Sequence, residues 1–437
     1  MAGAAGAALT HRRVLLIAGP IVLANITVPL LGLVDTGVIG QLGQPEAIGA
    51  VALGAVILTS IYWVFGFLRM GTAGLVAQSH GAADEVEGGA HLLRALGIAL
   101  AAGILFILLQ DGIVRLAFAI APASAGVEAL ARDYLAVRIW GAPATIALYA
   151  VTGWLIATER TRSILLLQLV QNGLNVVLSV WLVLGLDRGV AGVAWATLLA
   201  EWTGLGLGLW MTRGAIGQGL RSAGLLARDR LVRLAQVNGD IMVRSVLLQA
   251  SITAFVFLGA RQGDVTLAAN QVLLQFLSIT AFALDGFAFA AESLVGQAVG
   301  ARRPHAVRQA SVLTSGWGLG GAVALAAAFA LAGGAVIDLL TTSPEVREAA
   351  RIYLPWLVAA PLVGVAAWML DGIFIGATLT RDMRVAMIQS CLLFLMAVLM
   401  LPPVWGNHGL WAALTVLNLA RGITLGLRYS RAEAAAA

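Results

Sequence analysis

Polar and charged positions in this chain do not recur with the short period of a soluble amphipathic helix or strand. They gather between long apolar runs near 14–40, 48–78, 91–110, 129–157, 163–185, 190–212, 231–259, 265–297, 308–331, 348–376, 385–405 and 409–428. A membrane-spanning helix needs roughly 20 mostly apolar residues. Twelve such runs predict an all-α polytopic membrane protein with about twelve transmembrane helices. Several runs exceed the minimum length, so tilted or kinked helices are expected.

Composition agrees and excludes the rest. Of 437 residues, 60% are hydrophobic and only 11% charged, against about 25% charged in soluble domains. A soluble enzyme, a secreted module and a disordered chain are ruled out. The net charge is +5, and all 27 basic residues are arginine. A basic balance can signal nucleic acid, but here the arginines lie mainly in short loops between apolar runs, so no nucleic-acid partner is expected. One set of loops and termini holds most of them, from Arg12 and Arg13 through Arg221, Arg228 and Arg230 to Arg431. The opposite set holds only Arg115, Arg132, Arg188, Arg261, Arg347 and Arg351. The positive-inside rule then places both termini in the cytoplasm. The single cysteine, Cys391, permits no intramolecular disulfide.

The chain is internally repeated. Leu75-Val76-Ala77-Gln78-Ser79-His80-Gly81-Ala82 matches Leu294-Val295-Gly296-Gln297-Ala298-Val299-Gly300-Ala301, an offset of 219 residues from Gln78 to Gln297. The same offset aligns Arg132, Tyr134 and Leu135 with Arg351, Tyr353 and Leu354, and Ile156, Thr161 and Arg162 with Ile375, Thr380 and Arg381. The predicted organisation is an N-lobe over 1–215, a cytoplasmic linker over 216–230 and a C-lobe over 231–437. Six spans per half give two pseudo-symmetric lobes of equal orientation around a central cavity, the usual basis of alternating access.

Ionisable groups inside the runs carry the candidate chemistry. Asp35 lies within the first span. A charged side chain at the bilayer centre costs roughly 2.5–3.5 kcal/mol on insertion scales, so Asp35 must face a cavity or partner, or hold a proton. The alternative reading is a packing acid held by a hydroxyl or amide. In the fifth span Gln168, Gln171, Asn172, Asn175 and Ser179 share one helical face, which either lines a cavity or bonds helices together. The sixth span adds Thr197 and Glu201. A second stripe, Gln271, Gln275, Ser278, Asp285 and Glu292, runs along the eighth span, and Asp371 stands in the tenth. With aromatic neighbours Phe282, Phe287, Phe289, Trp368 and Phe374, the C-lobe acids are read as a region that binds a cationic substrate, or as acids paired with Arg69 or Arg244. Asp240 and Arg244, spaced i, i+4, read as a local salt bridge.

No Gly-rich phosphate loop ending in Gly-Lys-Ser/Thr occurs, the histidines have no metal-ligand spacing, and no nucleophile–base set converges. No enzymatic activity, cofactor or metal is expected.

The run from Leu23 to Gly40, containing Pro29-Leu30-Leu31-Gly32-Leu33-Val34-Asp35-Thr36, resembles the first helix of the multidrug and toxic compound extrusion (MATE) family in its DinF branch. Asp240-Ile241-Met242-Val243-Arg244-Ser245, Ala283-Leu284-Asp285-Gly286-Phe287-Ala288 and Leu370-Asp371-Gly372-Ile373-Phe374-Ile375-Gly376-Ala377 are similar to the same branch, and the likeness covers about 14–428. The resemblance implies a monomeric twelve-helix antiporter in a bacterial inner membrane, exporting organic compounds against inward cation flow. It implies proton coupling through Asp35, with Asn175 and Thr197 as partners and a helix bend at Pro20. Many relatives carry an acid one turn after the asparagine; here Ser179 stands there, which weakens a sodium site. Pro29 also lies in the first span and can bend it. The leading expectation is proton-coupled export. The alternatives are flipping of a lipid or lipid-linked oligosaccharide, and sodium coupling.

Overall fold

The computed structural model describes residues 9–41 and 44–437; these form helices, with no strand among the described residues. The first helix, α1, is His11–Gly40. α2 comes in two pieces, Pro45–Trp63 and Gly66–Gly81. α3 is Glu85–Leu108, followed by a short connecting helix, Gln110–Ile120. α4 joins Ala125–Arg138 to Ala142–Ala157 through a 3-10 turn at Ile139–Gly141. α5, Thr161–Val180, runs out into a π turn at Trp181–Gly185. α6 is Gly189–Gly219 and α7 is Arg228–Ala260. α8 (Asp264–Gly300) and α9 (Pro304–Leu340) follow. α10 is Pro344–Gly376, α11 is Thr380–Met400 and α12 is Pro402–Gly426.

Among the described residues, eleven of these segments are long and apolar enough to cross a membrane, and α1 makes the twelfth. The helices outrun the apolar runs. α8 and α9 have 37 residues each, about 55 Å of rise, against a hydrocarbon core of about 30 Å. Their ends therefore stand in the polar zone, where Asp, Pro and Ser can start a helix. Kinks have local causes. Pro355 and Pro361 sit inside α10, and Gly406 breaks α12 with φ +55, a conformation that L side chains rarely adopt.

The chain divides into two compact units. The N-terminal unit holds residues 23–76 and 84–234. The C-terminal unit holds the described residues up to Val22, residues 77–83, and everything from Ala235 on. α1 thus contributes to both units.

Glycine lets helices meet backbone to backbone, the usual packing device in membranes. In the N-terminal unit, a Cβ on Gly89 of α3 would lie 2.1 Å from the Ala215 carbonyl oxygen of α6. In the C-terminal unit the two copies of the sequence repeat pack on each other reciprocally. A Cβ on Gly81 would lie 2.0 Å from the Gln297 carbonyl oxygen, and one on Gly300 would lie 1.9 Å from that of Gln78. Gln78 and Gln297, like Gly81 and Gly300, are separated by the repeat offset.

The connection between the halves is shorter than the 216–230 linker expected, because α6 continues to Gly219 and α7 starts at Arg228. It is pinned by Arg94 of α3, which donates to Leu225 O at 2.7 Å and Gly224 O at 3.0 Å, and to Glu87 Oε1 at 2.8 Å. Arg230 also bonds Glu87.

Candidate functional site

In the N-terminal unit, Asp35 projects from α1 toward the amide stripe of α5. Ser179 Oγ donates to Asp35 Oδ1 at 3.2 Å. Asn175, one turn earlier on α5, donates through Nδ2 to Thr197 Oγ1 of α6 at 2.9 Å, and Thr197 donates in turn to Val193 O at 3.0 Å. The Thr197 proton is therefore spoken for, which fixes the orientation of the Asn175 amide. Asn175 Oδ1 is left buried with no hydrogen-bond partner. Asn172 donates to Thr27 Oγ1 at 2.8 Å and holds α5 to α1.

The expected partnership of Asp35 with Asn175 and Thr197 is corrected in detail. Among the described residues, the hydrogen bond to Asp35 comes from Ser179, and Asn175 and Thr197 bond each other.

Beside this group stands a buried ion pair. Arg138, at the 3-10 break of α4, donates from Nη1 to Glu201 Oε2 at 2.7 Å and from Nη2 to Oε1 at 3.0 Å. Glu201 lies one turn beyond Thr197 on α6, and Arg138 and Glu201 are each under 10% exposed. Gly141 makes room for the carboxylate, since a Cβ there would sit 2.2 Å from Glu201 Oε2. The Arg138 charge acts through space on Asp35. The Nε of Arg138 and the hydroxyl of Tyr62 are buried with no partner. Among the described residues, the site thus combines one acid bonded by a single hydroxyl, one bidentate ion pair and one buried acceptor with no partner.

In the C-terminal unit, Asp371 of α10 is buried and accepts on Oδ2 from Nη2 of Arg421 at 2.5 Å and from Nη2 of Arg244. Two expectations are corrected. Arg244 pairs with Asp371 rather than Asp240; Asp240 instead accepts from Arg384 at 2.6 Å and from Thr380 at 3.1 Å. Nor is Asp371 an open acid for a cation, because two guanidinium groups converge on it.

The predicted C-lobe set does not form one site. Gln275 is exposed and Glu292 buried, and their separation of seventeen positions along α8 spans about 25 Å. Asp285 is half-buried, and Phe374 is fully buried and offers no ring face to a ligand. Pro20 lies inside α1, two residues before the point where that helix passes from one unit to the other.

Sequence reasoning missed Arg138 and Arg421. Each lies inside an apolar run, and an intramembrane arginine demands an acid. Glu201 and Asp371 were already singled out, so the signal was present. What was missing was which helices adjoin.

The MatE family pattern matches residues 20–181 and 241–400. The chain is 42% identical to "DNA damage-inducible protein F" of Escherichia coli (strain K12), over 94% of this chain and 90% of that protein. It is 27% identical to "Probable multidrug resistance protein NorM" of a Synechococcus strain, over 90% of this chain and 88% of that one. In fold it is similar to the bent form of the Vibrio cholerae MATE transporter VcmN, with TM-score 0.87, 18% identity, and 98% of this chain and 97% of that chain covered.

Proposed function

For a chain that belongs to the MatE family of multidrug efflux transporters, we propose antiport of small organic compounds outward against protons inward, with Asp35 as the coupling group. The observation that carries this reading is the pairing of donors and acceptors around Asp35.

Ionised, the carboxylate is acceptor-only and takes the Ser179 hydroxyl. Protonated, it becomes a donor and needs an acceptor. Asn175 Oδ1, one turn from Ser179 and buried without a partner, supplies one. The two protonation states then favour different positions of α1 against α5. A proton with differential affinity for two conformations is the minimum that a switch requires.

Pro20 is the hinge in this reading. It has no backbone N–H to close its helical turn, and its ring crowds the preceding one. One charge crossing 100 mV releases about 2.3 kcal/mol, enough to drive the equilibrium nearly fifty-fold. The reading favours protons over sodium because, among the described residues, Asp35 has a hydroxyl and no ion pair on it, with neutral groups around it and the guanidinium of Arg138 nearby. A desolvated hard cation needs several oxygen ligands.

The test is ethidium transport in proteoliposomes, with a pH gradient and a sodium gradient imposed separately. The expected result is transport driven by the pH gradient alone and lost in Asp35→Asn. Sodium-driven transport, or an Asp35→Asn variant that pumps at the wild-type rate, overturns the proposal.

A further inference from the structure

The two halves of the chain treat one arginine differently. At the repeat offset Ser124 and Val127 correspond to Ser343 and Val346, and Arg132 corresponds to Arg351. The correspondence holds in structure. Ser124 caps the first part of α4 by accepting from Val127 N at 3.4 Å, and Ser343 caps α10 by accepting from Val346 N at 3.4 Å. In the C-terminal unit, Arg351 Nη2 donates to both carboxylate oxygens of Asp338 on α9, at 2.6 and 2.7 Å, and Arg347 Nε lies 3.5 Å from the same group. In the N-terminal unit the position matching Asp338 is Ala119. Among the described residues, no carboxylate from another helix bonds Arg132. Its guanidinium lies over the Phe118 ring, 4.7 Å from the ring centre, and donates at 3.3 Å to Glu128, one turn back on its own helix. An exposed i, i+4 ion pair of this kind is worth little.

A cavity lies beside this arginine. It measures about 360 Å³, within the range of roughly 300–1,000 Å³ that small-molecule sites occupy. Its walls are the short helix Gln110–Ile120 and the first part of α4, and the buried Leu58 and Leu135 give it an apolar floor. Charges of both signs line it: Asp111 and Arg115 from the short helix, Arg132 and Asp133 from α4. Asp111 and Arg115 have the spacing of a helix pair. Yet among the described residues no hydrogen bond or ion pair forms on the side chain of Asp111, Arg115 or Asp133. The same short helix turns Leu116 and Ile120, one turn apart, outward. It begins where the apolar run of α3 ends. In a membrane such a helix lies along the interface, with its apolar ridge among acyl chains.

We propose that this cavity holds the head group of a zwitterionic phospholipid, phosphatidylethanolamine, with the phosphate on Arg115 and Arg132 and the ammonium on Asp111 and Asp133. The acyl chains run beside Leu116 and Ile120. The phosphate gives Arg132 the anion that Asp338 gives Arg351, through charge-assisted bonds. A primary ammonium brings three N–H donors to the carboxylates, and the trimethylated head group of phosphatidylcholine brings none. The inference concerns the lipid around the protein and stands apart from the coupling ion and the exported compound.

Native mass spectrometry of the purified full chain in neutral detergent tests it, with phosphatidylethanolamine, phosphatidylcholine and phosphatidylglycerol of matched acyl chains titrated separately. Wild type is expected to hold its first phosphatidylethanolamine about tenfold more tightly than phosphatidylcholine, the scale of a hydrogen bond to a charged group. Arg115→Gln/Arg132→Gln is expected to weaken phosphatidylethanolamine about tenfold. Ala119 is exposed, so Ala119→Asp has room to install the carboxylate that the other half carries. It is expected to weaken the lipid while the melting temperature without lipid stays level or rises, a combination that misfolding cannot produce. Asp111→Asn/Asp133→Asn is expected to erase the preference over phosphatidylcholine and to tighten phosphatidylglycerol.

Equal retention of phosphatidylethanolamine and phosphatidylcholine by wild type overturns the proposal. So does phosphatidylethanolamine binding that is unchanged in both Arg115→Gln/Arg132→Gln and Ala119→Asp. Tighter binding of phosphatidylglycerol than phosphatidylethanolamine by wild type would assign the cavity to an anionic lipid and overturn the zwitterion. Displacement of the lipid by an equal concentration of free glycerophosphoethanolamine would make the ligand a soluble zwitterion and overturn the assignment to a membrane lipid.

Discussion

Ser179 and Asp35 are joined across α5 and α1 by a 3.2 Å hydrogen bond in which the serine donates. In that bond the carboxylate is the acceptor, so the contact favours the ionised state of the acid. A second carboxylate at position 179 would repel the ionised form. Serine at position 179 thus suits a site in which one acid gains and loses a single proton.

Ser179→Ala is expected to slow proton-driven ethidium export several-fold, with Ser179→Thr restoring most of the rate. A hydrogen bond to a charged group is worth about 1.5–3 kcal/mol. Equal rates for alanine and wild type would show that the contact does no work in the cycle.

Asn175 is expected to tune the switch without carrying a proton. Asn175→Ala removes the buried acceptor Oδ1 and should alter the pH dependence of transport more than its maximal rate. Rate measurements across external pH check this; an unaltered profile would separate Asn175 from the coupling.

The Arg138–Glu201 pair yields a stability prediction. Removing one partner of a buried ion pair leaves an uncompensated charge and costs about 3–5 kcal/mol, whereas replacing both with apolar residues is often nearly neutral. Arg138→Met and Glu201→Leu should each lower Tm sharply in detergent, and the double variant should recover most of the loss. Additive losses would mean that the two act independently.

Glycines sort by what surrounds them. Gly81→Ala and Gly300→Ala each drive a Cβ into backbone and should destabilise by about 1–3 kcal/mol or more. Gly316 of α9 has nothing within 4 Å of its would-be Cβ, so Gly316→Ala should stabilise by about 0.4–1 kcal/mol through the unfolded chain. Melting temperatures of the three variants decide the matter.

For the hinge, spin labels on α1 and α5 should report a distance that depends on pH in wild type and is insensitive to pH in Pro20→Ala. A distance change that survives in Pro20→Ala removes Pro20 and leaves Pro29 as the candidate.

Much of this protein is legible in its sequence because the bilayer imposes one-dimensional constraints. A span needs a fixed length of apolar residues, and a polar backbone in lipid must bond to itself, which leaves the helix. The runs therefore announce twelve helices, and the repeat at Gln78/Gln297 announces the duplication. Asp35 stands out because a lone acid in an apolar run is costly wherever its helix packs.

Partners are a different matter, because they depend on which helices adjoin and at what depth. Asp240 and Arg244 have the spacing of a local pair. Yet α10 and α12 bring Asp371 and Arg421 to Arg244, while Arg384 of α11 reaches Asp240. Arg138 and Glu201 are 63 residues apart, and no local rule joins them. The stripe of α8 looks like one site in sequence, but its ends lie at different depths. The sequence determined the helices and which groups pay a penalty for being buried. Only tertiary packing decided which opposite charge or hydroxyl relieves each one, because a side chain reaches a few ångströms sideways and the chain brings its neighbours from any distance along its length.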